Sequence, residues 1–270
     1  MTEVISNTQY RLLEWDTAFF GRKIGKIERC DLNAHDMQLA IDWANTQHID
    51  CLYYCCAIDN DQAIHTAELY QFNLVDVKVE MTLELSKQEV SNGKDVLVRP
   101  YRTGELAQLE AIDDNLFENG RFYHDPEFSG EQASSLYREW IRKSCERHAE
   151  MECRGFASNA DTNFLNSGET VFVAEYEHRI AGFITFHKEN ASTARIGIIG
   201  VCSKTRRKGI GGALITAIIK HYQNDVIRKI KVVTQGRNIA AQNLFQSQGF
   251  YVDSMSLWYH KWFNLLNSRL

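Results

Sequence analysis

The amino-acid sequence predicts an α/β fold with a mixed sheet, in which a small N-terminal domain precedes a larger C-terminal domain. A glycine-rich basic turn at 201–212 joins an apolar strand-like run to a helix-like run, and both strand and helix patterns occur within 96–263. The polar stretch 86–95 has the composition of a linker. We therefore predict two domains, residues 1–90 and residues 96–265.

Local patterns predict the elements of the C-terminal domain in order. Apolar residues at 106, 109, 112 and 116 share one helical face, β-branched residues mark a strand at 230–235, and Gly249 ends the last helix as a left-handed cap. The predicted strands are 96–99, 170–176, 180–187, 195–201, 230–235 and 251–263. The predicted helices are 103–116, 131–149, 213–222 and 238–248, and the predicted loops are 117–129 and 151–168.

Composition excludes several classes of protein. Hydrophobic residues make up 44% of the 270, which is enough for a buried core, and the net charge of −5 argues against general nucleic-acid binding. The sequence starts without the pattern of a signal peptide, and no apolar run approaches the length of a membrane span. Seven cysteines at irregular spacing favour reduced thiols and no metal site. We therefore expect a cytoplasmic protein without a membrane or nucleic-acid partner.

The turn at 201–212 has the properties of an anion-binding site. A turn that opens a helix presents free backbone N–H groups and the positive end of the helix dipole at one point. Its glycines let the backbone approach a ligand closely, and Arg206, Arg207 and Lys208 add positive charge. The spacing is neither that of a Mg-nucleotide P-loop nor that of a dinucleotide fold. We therefore predict a different pyrophosphate ligand.

Two motifs carry a family resemblance. The spacing Arg206-x-x-Gly209-x-Gly211 is similar to the acetyl-CoA loop of the Gcn5-related N-acetyltransferases (GNAT), and residues 238–250 resemble the family signature Asn-x-x-Ala-x-x-Leu-Tyr-x-x-x-Gly-Phe, with Phe245 in the place of the tyrosine. The resemblance implies a GNAT N-acyltransferase fold with acyl-CoA as co-substrate and no metal. The CoA-binding residues that it implies are Ile199, Val201, Arg206, Arg207, Lys208, Gly209, Ile210, Gly211, Gly212, Asn238 and Phe245.

The same resemblance implies that an amine attacks the thioester directly in a ternary complex. The backbone around Ile199 to Val201, with Val201 as the catalytic donor, is expected to stabilise the carbonyl oxygen. No side chain stands out as the base. Because Phe245 cannot donate a proton, the thiolate leaves unprotonated, is protonated by water, or takes a proton from Tyr123 or Tyr259. The missing hydroxyl would also make room for an acyl group larger than acetyl.

A narrower resemblance concerns the acceptor. The segments 15–21, 121–123, 194–197, 233–236 and 257–259 are similar to the dTDP-fucosamine and dTDP-amino-dideoxyhexose N-acyltransferases. It implies a nucleotide-sugar partner, acetyl-CoA or 3-hydroxybutanoyl-CoA as donor, and a role in surface polysaccharide (lipopolysaccharide O-antigen) synthesis. The expected acceptor-binding residues are Arg121 and Arg195 for the phosphates, Tyr123, Trp15 and Phe20 for stacking, and Gln235 at a strand end.

Other interpretations of these residues stay open. Trp15 and Phe20 could be interdomain core, Arg195 an exposed ion pair, and Asn238 a helix cap. The charged groups in the loop and strand ends, including His124, Asp125, Glu68 and His187, are interpreted as solvated or structural. The whole chain could instead acylate a protein or antibiotic amine, or serve as a non-catalytic acyl-CoA sensor.

The N-terminal segment contains an internal echo of the C-terminal one. Residues 50–76 resemble residues 225–253, because both run from a strand through a helix to a strand. We interpret residues 1–90 as a degenerate GNAT-like half domain that binds no CoA, since it has no glycine-rich basic loop; chance similarity between short α/β units is the alternative. The long aromatic strand 251–263 would tolerate pairing with a second chain, which hints at a homodimer.

Overall fold

The computed structural model describes residues 9–85, 96–112, 116–153 and 168–263. In chain order the elements are β1 (Tyr10–Leu12), α1 (Glu14–Phe20), β2 (Ile24–Ile27), α2 (Ala34–Thr46), β3 (Cys51–Ala57), α3 (Asp61–Leu69), β4 (Asn73–Glu84), β5 (Leu97–Pro100), α4 (Leu106–Glu110), α5 (Arg121–His124), α6 (Gly130–Cys153), β6 (Thr170–Tyr176), β7 (Arg179–Lys188), β8 (Thr193–Val201), α7 (Ile210–Tyr222), β9 (Lys229–Gln235), α8 (Ile239–Ser247) and β10 (Tyr251–Trp262). This mixed α/β architecture confirms the predicted fold class.

The chain divides into two compact units. Within the described residues, unit 1 contains 9–79, 119–132 and 254–263, and unit 2 contains 80–85, 96–112, 116–118, 133–153 and 168–253. The grouping differs from the predicted domains, because the end of β4 lies in unit 2 and the end of β10 lies in unit 1. Ion pairs explain the place of β4: Glu80 contacts Arg195 and Lys231 within unit 2. The predicted linker 86–95 lies outside the described residues.

Unit 1 contains the strands β1, β2, β3, residues 254–262 of β10 and residues 73–79 of β4, in that order. The pair β2–β3 is parallel, whereas β1–β2 and β3–β10 are antiparallel. Helix α2 begins where the Asn33 side chain accepts a hydrogen bond from the backbone of Asp36. Its buried residues recur at helical spacing, so one face of α2 joins a core that includes Tyr54, Phe72 and Tyr259.

Unit 2 contains a sheet with the order β10-β4-β9-β8-β7-β6-β5, where β10 and β4 contribute only their unit 2 ends. The strands β5 to β8 are antiparallel, and β8 pairs with β9 in parallel. A tight turn joins β6 to β7: Glu177 and His178 have φ angles of 50° and 61°, the left-handed pair of a two-residue hairpin. Helix α7 lies against β6 and β7 and buries its apolar stripe there.

Most predicted elements of unit 2 are confirmed within a few residues. The strand 170–176 coincides with β6, and Gly249 ends α8 with a φ of 89°. The predicted helix 103–116 is wrong in length, because α4 ends at Glu110. The predicted loop 117–129 contains a short helix, α5, which packs in unit 1. Of the predicted loop 151–168, residues 154–167 lie outside the described residues.

The internal echo has a close structural counterpart. The series β3, α3, β4 has lengths of 7, 9 and 12 residues, and the series β9, α8, β10 has the same three lengths. Asn60 caps α3 by accepting from the backbone N–H of Ala63, and Asn238 caps α8 by accepting from that of Ala241. The match supports our interpretation of the N-terminal segment as a half copy, which stays a prediction.

Candidate functional site

A split between two parallel strands lies at the centre of unit 2. Strands β8 and β9 pair from Thr193 opposite Lys229 to Ile196 opposite Val232, and there the pairing register ends. Beyond this point β8 continues to Val201 and β9 to Gln235. On its other side β8 keeps its partner, since Val201 is still opposite Gly182 of β7. The far half of β8 therefore has one edge in the sheet and one edge at the split.

Backbone N–H groups of β8 point into this split. The N–H of Ile198 donates to the Thr185 hydroxyl at 3.1 Å, and the N–H of Cys202 donates to the Ala181 carbonyl at 2.8 Å, so both face β7. Successive N–H groups along a strand alternate in direction. The N–H groups of Ile199 and Val201 therefore face away from β7, as an oxyanion donor at this place requires.

The basic turn follows directly after Val201. A 3-10 turn, Ser203–Thr205, leads into the exposed residues 206–209, and α7 begins after Gly209. Gly209 has a φ of 79°, and Arg207 has a φ of 66°, so the chain takes two left-handed steps before the helix. The first intrahelical bond runs from the N–H of Ala213 to the carbonyl of Gly209. The N–H groups of residues 210–212 are therefore directed out of the helix end beside three basic side chains.

The glycines of this turn have different tasks. Gly209 provides the left-handed conformation, and a Cβ there would meet no atom within 4 Å. At Gly211, in contrast, a Cβ would lie 2.8 Å from the Leu244 side chain, so this glycine lets α7 approach α8. Gly212 has a looser contact, 3.3 Å from the amide of Gln248. The sequence interpretation of all three as close-approach positions for a diphosphate thus covers only part of what they do. Ile210 is buried and anchors the turn.

Residues of the signature helix α8 make structural contacts that the family motif does not predict. Asn238 caps the helix through its Oδ1 atom, 3.1 Å from the Ala241 nitrogen. Gln242 holds the end of β9 by donating to the backbone carbonyls of Gln235 and Gly236. Phe245 is only 1% exposed and packs against Phe250 with ring centroids 5.3 Å apart. The ring of Phe245 therefore belongs to the core of unit 2, and its contact with a pantetheine arm stays a prediction.

The two predicted acceptor residues of unit 2 are far apart along the strands: Arg195 lies where β8 and β9 still pair, and Gln235 lies where they have separated. Gln235 ends β9, and its side chain is half-buried. Arg195 lies near the start of β8, where its guanidinium contacts Glu189 at 2.6 Å and Glu80 at 3.4 Å. These ion pairs compete with any phosphate for Arg195, as the alternative interpretation expected. Burial lowers the pKa of His187, which pairs with Arg195 across the strands.

The other predicted acceptor residues lie in unit 1. Phe20 is 5% exposed and packs on Phe122 and Phe128, so it is a core residue of unit 1. Trp15 is 42% exposed and stacks on Phe19. Tyr123 is half-buried in α5. Tyr259, a candidate proton donor, is buried, and burial raises its pKa to about 12, which makes it a weak acid.

Arg121 lies in unit 1 among aromatic rings. Its Cζ atom is 4.2 Å from the ring centroid of Trp258 and 5.0 Å from that of Tyr53. Guanidinium groups stack favourably on such rings. The side chain is therefore held by unit 1 itself, whatever its role toward a phosphate.

Sequence reasoning missed a buried hydrogen bond between Asp125 and His260, in the same unit as Arg121. Asp125, interpreted from the sequence as a solvated or structural loop residue, is 3% exposed, and its carboxylate lies 2.6 Å from Nδ1 of His260 and 2.9 Å from Nε1 of Trp262. The only sequence signal was His260 and Trp262 on alternate positions of an apolar strand, which place two polar ring atoms on one buried face.

Among the described residues, no group of three or more His, Cys, Asp or Glu side chains could hold a metal ion. A search of the described helices finds none with the length and apolar character needed to span a membrane.

One family model matches a segment of unit 2. Residues 133–250 match the model of the acetyltransferase (GNAT) family. This segment lies wholly within unit 2 and contains the β8–β9 split, the basic turn and α8. The GNAT match implies a transferase that uses acetyl-CoA as co-substrate.

A curated relative and two solved structures extend the comparison. The mycothiol acetyltransferase of Corynebacterium diphtheriae is 25% identical over 133 residues, which cover 45% of this chain and 44% of that protein. A GCN5-related N-acetyltransferase from Sphaerobacter thermophilus superposes with a TM-score of 0.64 at 14% identity, covering 94% of this chain and 76% of the other. A tandem GNAT protein of the clavulanic acid biosynthesis pathway superposes with a TM-score of 0.57 at 11% identity, covering 88% and 75%. The solved structures share the fold with this chain, and the family match covers residues 133–250, which are fewer than half of the 270 residues.

Proposed function

We propose that this protein transfers an acyl group from acyl-CoA to the amino group of a dTDP-linked amino-dideoxyhexose. The β8–β9 split is the observation that supports acyl-CoA as the donor. The N–H groups of Ile199 and Val201 face the split, and the basic turn and the start of α7 follow directly in the chain. The partners are then small molecules, acyl-CoA and a nucleotide sugar, and the product supplies surface polysaccharide synthesis.

The chain's own groups can bind and orient the donor. The N–H groups at the start of α7, with Arg206, Arg207 and Lys208 beside them, form a cradle for a diphosphate. Bound acyl-CoA would supply the thioester carbonyl that an amine attacks. The N–H groups of Ile199 and Val201 would then donate to the carbonyl oxygen as negative charge develops on it.

Proton transfer in unit 2 is assigned to no side chain. Phe245 has no acidic proton and is buried, so it cannot protonate the departing thiolate. A thiol with a pKa of about 8.5 is a tolerable leaving group near neutral pH without an acid. The proposal therefore depends on orientation and on backbone electrostatics, which together can supply a large part of a rate enhancement.

The acceptor part of the proposal has different support. It rests on the resemblance of five segments to the dTDP-amino-sugar acyltransferases, including the segment at 121–123. The ion pairs of Arg195 and the aromatic enclosure of Arg121 leave neither guanidinium as an open phosphate site.

The experiment combines a binding step and a turnover step. Calorimetry first measures acetyl-CoA and 3-hydroxybutanoyl-CoA binding to the full chain. Mass spectrometry then follows dTDP-3-amino and dTDP-4-amino dideoxyhexoses with each donor, and a product heavier by one acyl group is expected. Binding without a product on any nucleotide sugar overturns the acceptor proposal and favours a sensor or another amine. No binding of either donor overturns the acyltransferase proposal itself.

A matched pair of variants checks that turnover uses the proposed site. Val201→Pro removes an N–H that faces the split and has no ladder partner in β7, whereas Ile198→Pro removes one that is bonded to Thr185. We expect Val201→Pro to keep donor binding and lose turnover by a factor of about a hundred or more. We expect Ile198→Pro, in contrast, to lower the free energy of unfolding in addition to turnover. Equal turnover in Val201→Pro and the wild type would contradict the oxyanion assignment.

A further inference from the structure

A β-bulge interrupts the pairing of β7 with β8 in unit 2. On either side of the bulge, the paired residues are Ile184 with Ile199 and Phe186 with Ile196. Thr185 of β7 therefore lies opposite two residues of β8, Gly197 and Ile198. The pairing of β8 with β9 ends at Ile196, directly before these two residues. The bulge therefore coincides with the start of the β8–β9 split.

The side chain of Thr185 holds this bulge. Thr185 is 0% exposed, and its hydroxyl oxygen accepts the backbone N–H of Ile198 at 3.1 Å. In a regular antiparallel pair a backbone carbonyl of the neighbouring strand accepts such an N–H. Ile198 is itself buried, so its N–H needs a partner within the protein. The Thr185 hydroxyl thus takes the place of a backbone group in the ladder.

Gly197 leaves the room that this hydroxyl needs. A Cβ at Gly197 would lie 2.5 Å from Oγ1 of Thr185 and 2.9 Å from Oε1 of Glu169. Both neighbours are constrained, because Thr185 is buried and Glu169 is 5% exposed and paired with Arg147 at 3.2 Å. A side chain at position 197 would therefore displace the Thr185 hydroxyl from the N–H of Ile198.

Side-chain directions show that the bulge shifts the alternation of β8. Neighbouring side chains of a regular strand point to opposite faces of the sheet. The Cβ direction of Gly197 leads to Thr185, and Ile198 joins the core that contains Phe183, two residues from Thr185 and on the same face of β7. Gly197 and Ile198 therefore point to one face, although they are adjacent in the chain.

The same shift decides which N–H groups of β8 face the split. Before the bulge, the Thr193 carbonyl faces the β7 side, where it accepts from the N–H of Glu189 at 2.9 Å. Regular alternation from Thr193 would turn the N–H of Ile198 away from β7. The structure has the opposite arrangement, because Ile198 donates to Thr185. Only with the bulge do the N–H groups two residues apart at 199 and 201 face the split.

From this geometry we infer that Thr185 is a positioning residue for acyl transfer, whose hydroxyl holds the bulge that directs the N–H groups of Ile199 and Val201 toward the thioester carbonyl. The inference rests on the proposed function, because the direction of these groups matters to catalysis only if a thioester lies in the split. A β8 strand without the bulge would present the N–H of the adjacent residue instead, about 3.3 Å away along the strand.

The test uses the full chain with acetyl-CoA that is labelled with ¹³C at the acetyl carbonyl, and no acceptor. Calorimetry measures donor affinity, and NMR measures the carbonyl resonance, which moves downfield when N–H groups donate to the carbonyl oxygen. We expect a downfield shift on binding to the wild type. Thr185→Val, which removes the hydroxyl at similar volume, should keep the affinity within a few-fold and lose at least half of this shift. Thr185→Ser retains the hydroxyl and should restore the shift.

Two further variants and a ligand-free measurement separate positioning from general packing. Thr193→Val removes the hydroxyl of another buried threonine of β8, before the split, and should leave affinity and carbonyl shift unchanged. Gly197→Ala should behave like Thr185→Val, because its methyl group displaces the same hydroxyl, and it replaces Thr185→Val in the comparison if that variant does not fold. Without ligand, amide hydrogen exchange at Ile198 should be faster in Thr185→Val than in the wild type and in Thr185→Ser.

The outcomes distinguish this inference from the proposed function. Acetyl-CoA binding to the wild type, with an equal carbonyl shift in Thr185→Val and Gly197→Ala, would overturn the positioning role and leave the proposed function standing. Unchanged hydrogen exchange at Ile198 in Thr185→Val would also overturn the role, since another group would then hold that N–H. A wild type that does not bind acetyl-CoA would overturn the proposed function, and the inference with it.

Discussion

The substitution Gly182→Ala tests how α7 is seated on the sheet. Gly182 lies in β7 opposite Val201, and a Cβ there would lie 2.8 Å from the Gly200 carbonyl oxygen and 3.0 Å from the Ile210 side chain. Both neighbours are constrained, because one is backbone and Ile210 is only 1% exposed. The added methyl group must therefore displace either β8 or the first turn of α7, which are the two elements of the proposed donor site.

The magnitude follows from two opposing effects. Overpacking a buried site costs about 1–3 kcal/mol, and replacing a strand glycine by alanine recovers about 0.5–1 kcal/mol of chain entropy. We expect a net loss of about 1–2 kcal/mol in the free energy of unfolding for Gly182→Ala. Gly212→Ala is the matched control, since its Cβ would meet only the flexible Gln248 amide at 3.3 Å. It should stabilise α7 by up to about 1 kcal/mol.

Urea unfolding followed by circular dichroism measures both variants, and donor affinity is measured beside it. Gly182→Ala should lower the unfolding midpoint and weaken acyl-CoA binding, whereas Gly212→Ala should raise the midpoint and keep binding within a few-fold of wild type. The reasoning would be refuted by a Gly182→Ala protein that is as stable as the wild type. It would also be refuted if Gly212→Ala were the less stable of the two.

Three further predictions concern charge and burial. Arg206→Glu should raise the KM for acyl-CoA about tenfold or more with a smaller change in kcat, because it reverses charge beside the diphosphate cradle; an unchanged KM in steady-state kinetics would exclude that role. Phe245→Tyr should cost about 1–3 kcal/mol in urea unfolding, since its hydroxyl would be buried near Phe250, and it should leave the preference between acetyl and longer acyl donors unchanged; a shifted donor preference would instead support the idea that the missing hydroxyl makes room. The pKa of His260 falls from 6.5 to about 4 on folding, so between these two pH values the unfolded chain binds more protons than the folded chain. The free energy of unfolding should therefore decline by up to about 3 kcal/mol as the pH drops from 6.5 to about 4. His260→Gln should flatten that pH dependence, and an unaltered slope would show that another group is responsible.

Local sequence signals were sufficient to predict the turn and helix start at 201–222 in unit 2. The basic turn was recognisable because its charges and glycines are contiguous, and the left-handed φ of Gly209 is a property of a single residue. The β6–β7 hairpin and the Asn238 cap were predictable for the same reason. The structural role of Gly211 was not predictable, because Gly211 contacts Leu244, which is more than thirty residues away in the chain. Burial of Phe245 likewise depends on a neighbouring element and not on the motif that contains it.

The sequence by itself determined the α/β class, the order of most strands and helices, and the strand–turn–helix that points to acyl-CoA, since each depends on periodicity or on contiguous residues. Only the tertiary structure decided that β8 and β9 separate after Ile196, and that Glu80 joins unit 2 by ion pairs. It alone brought Asp125 to His260 across 135 positions of the chain. The physical reason is that pairing registers, ion pairs and buried hydrogen bonds join residues that are distant in sequence, and no local pattern encodes their distance in space.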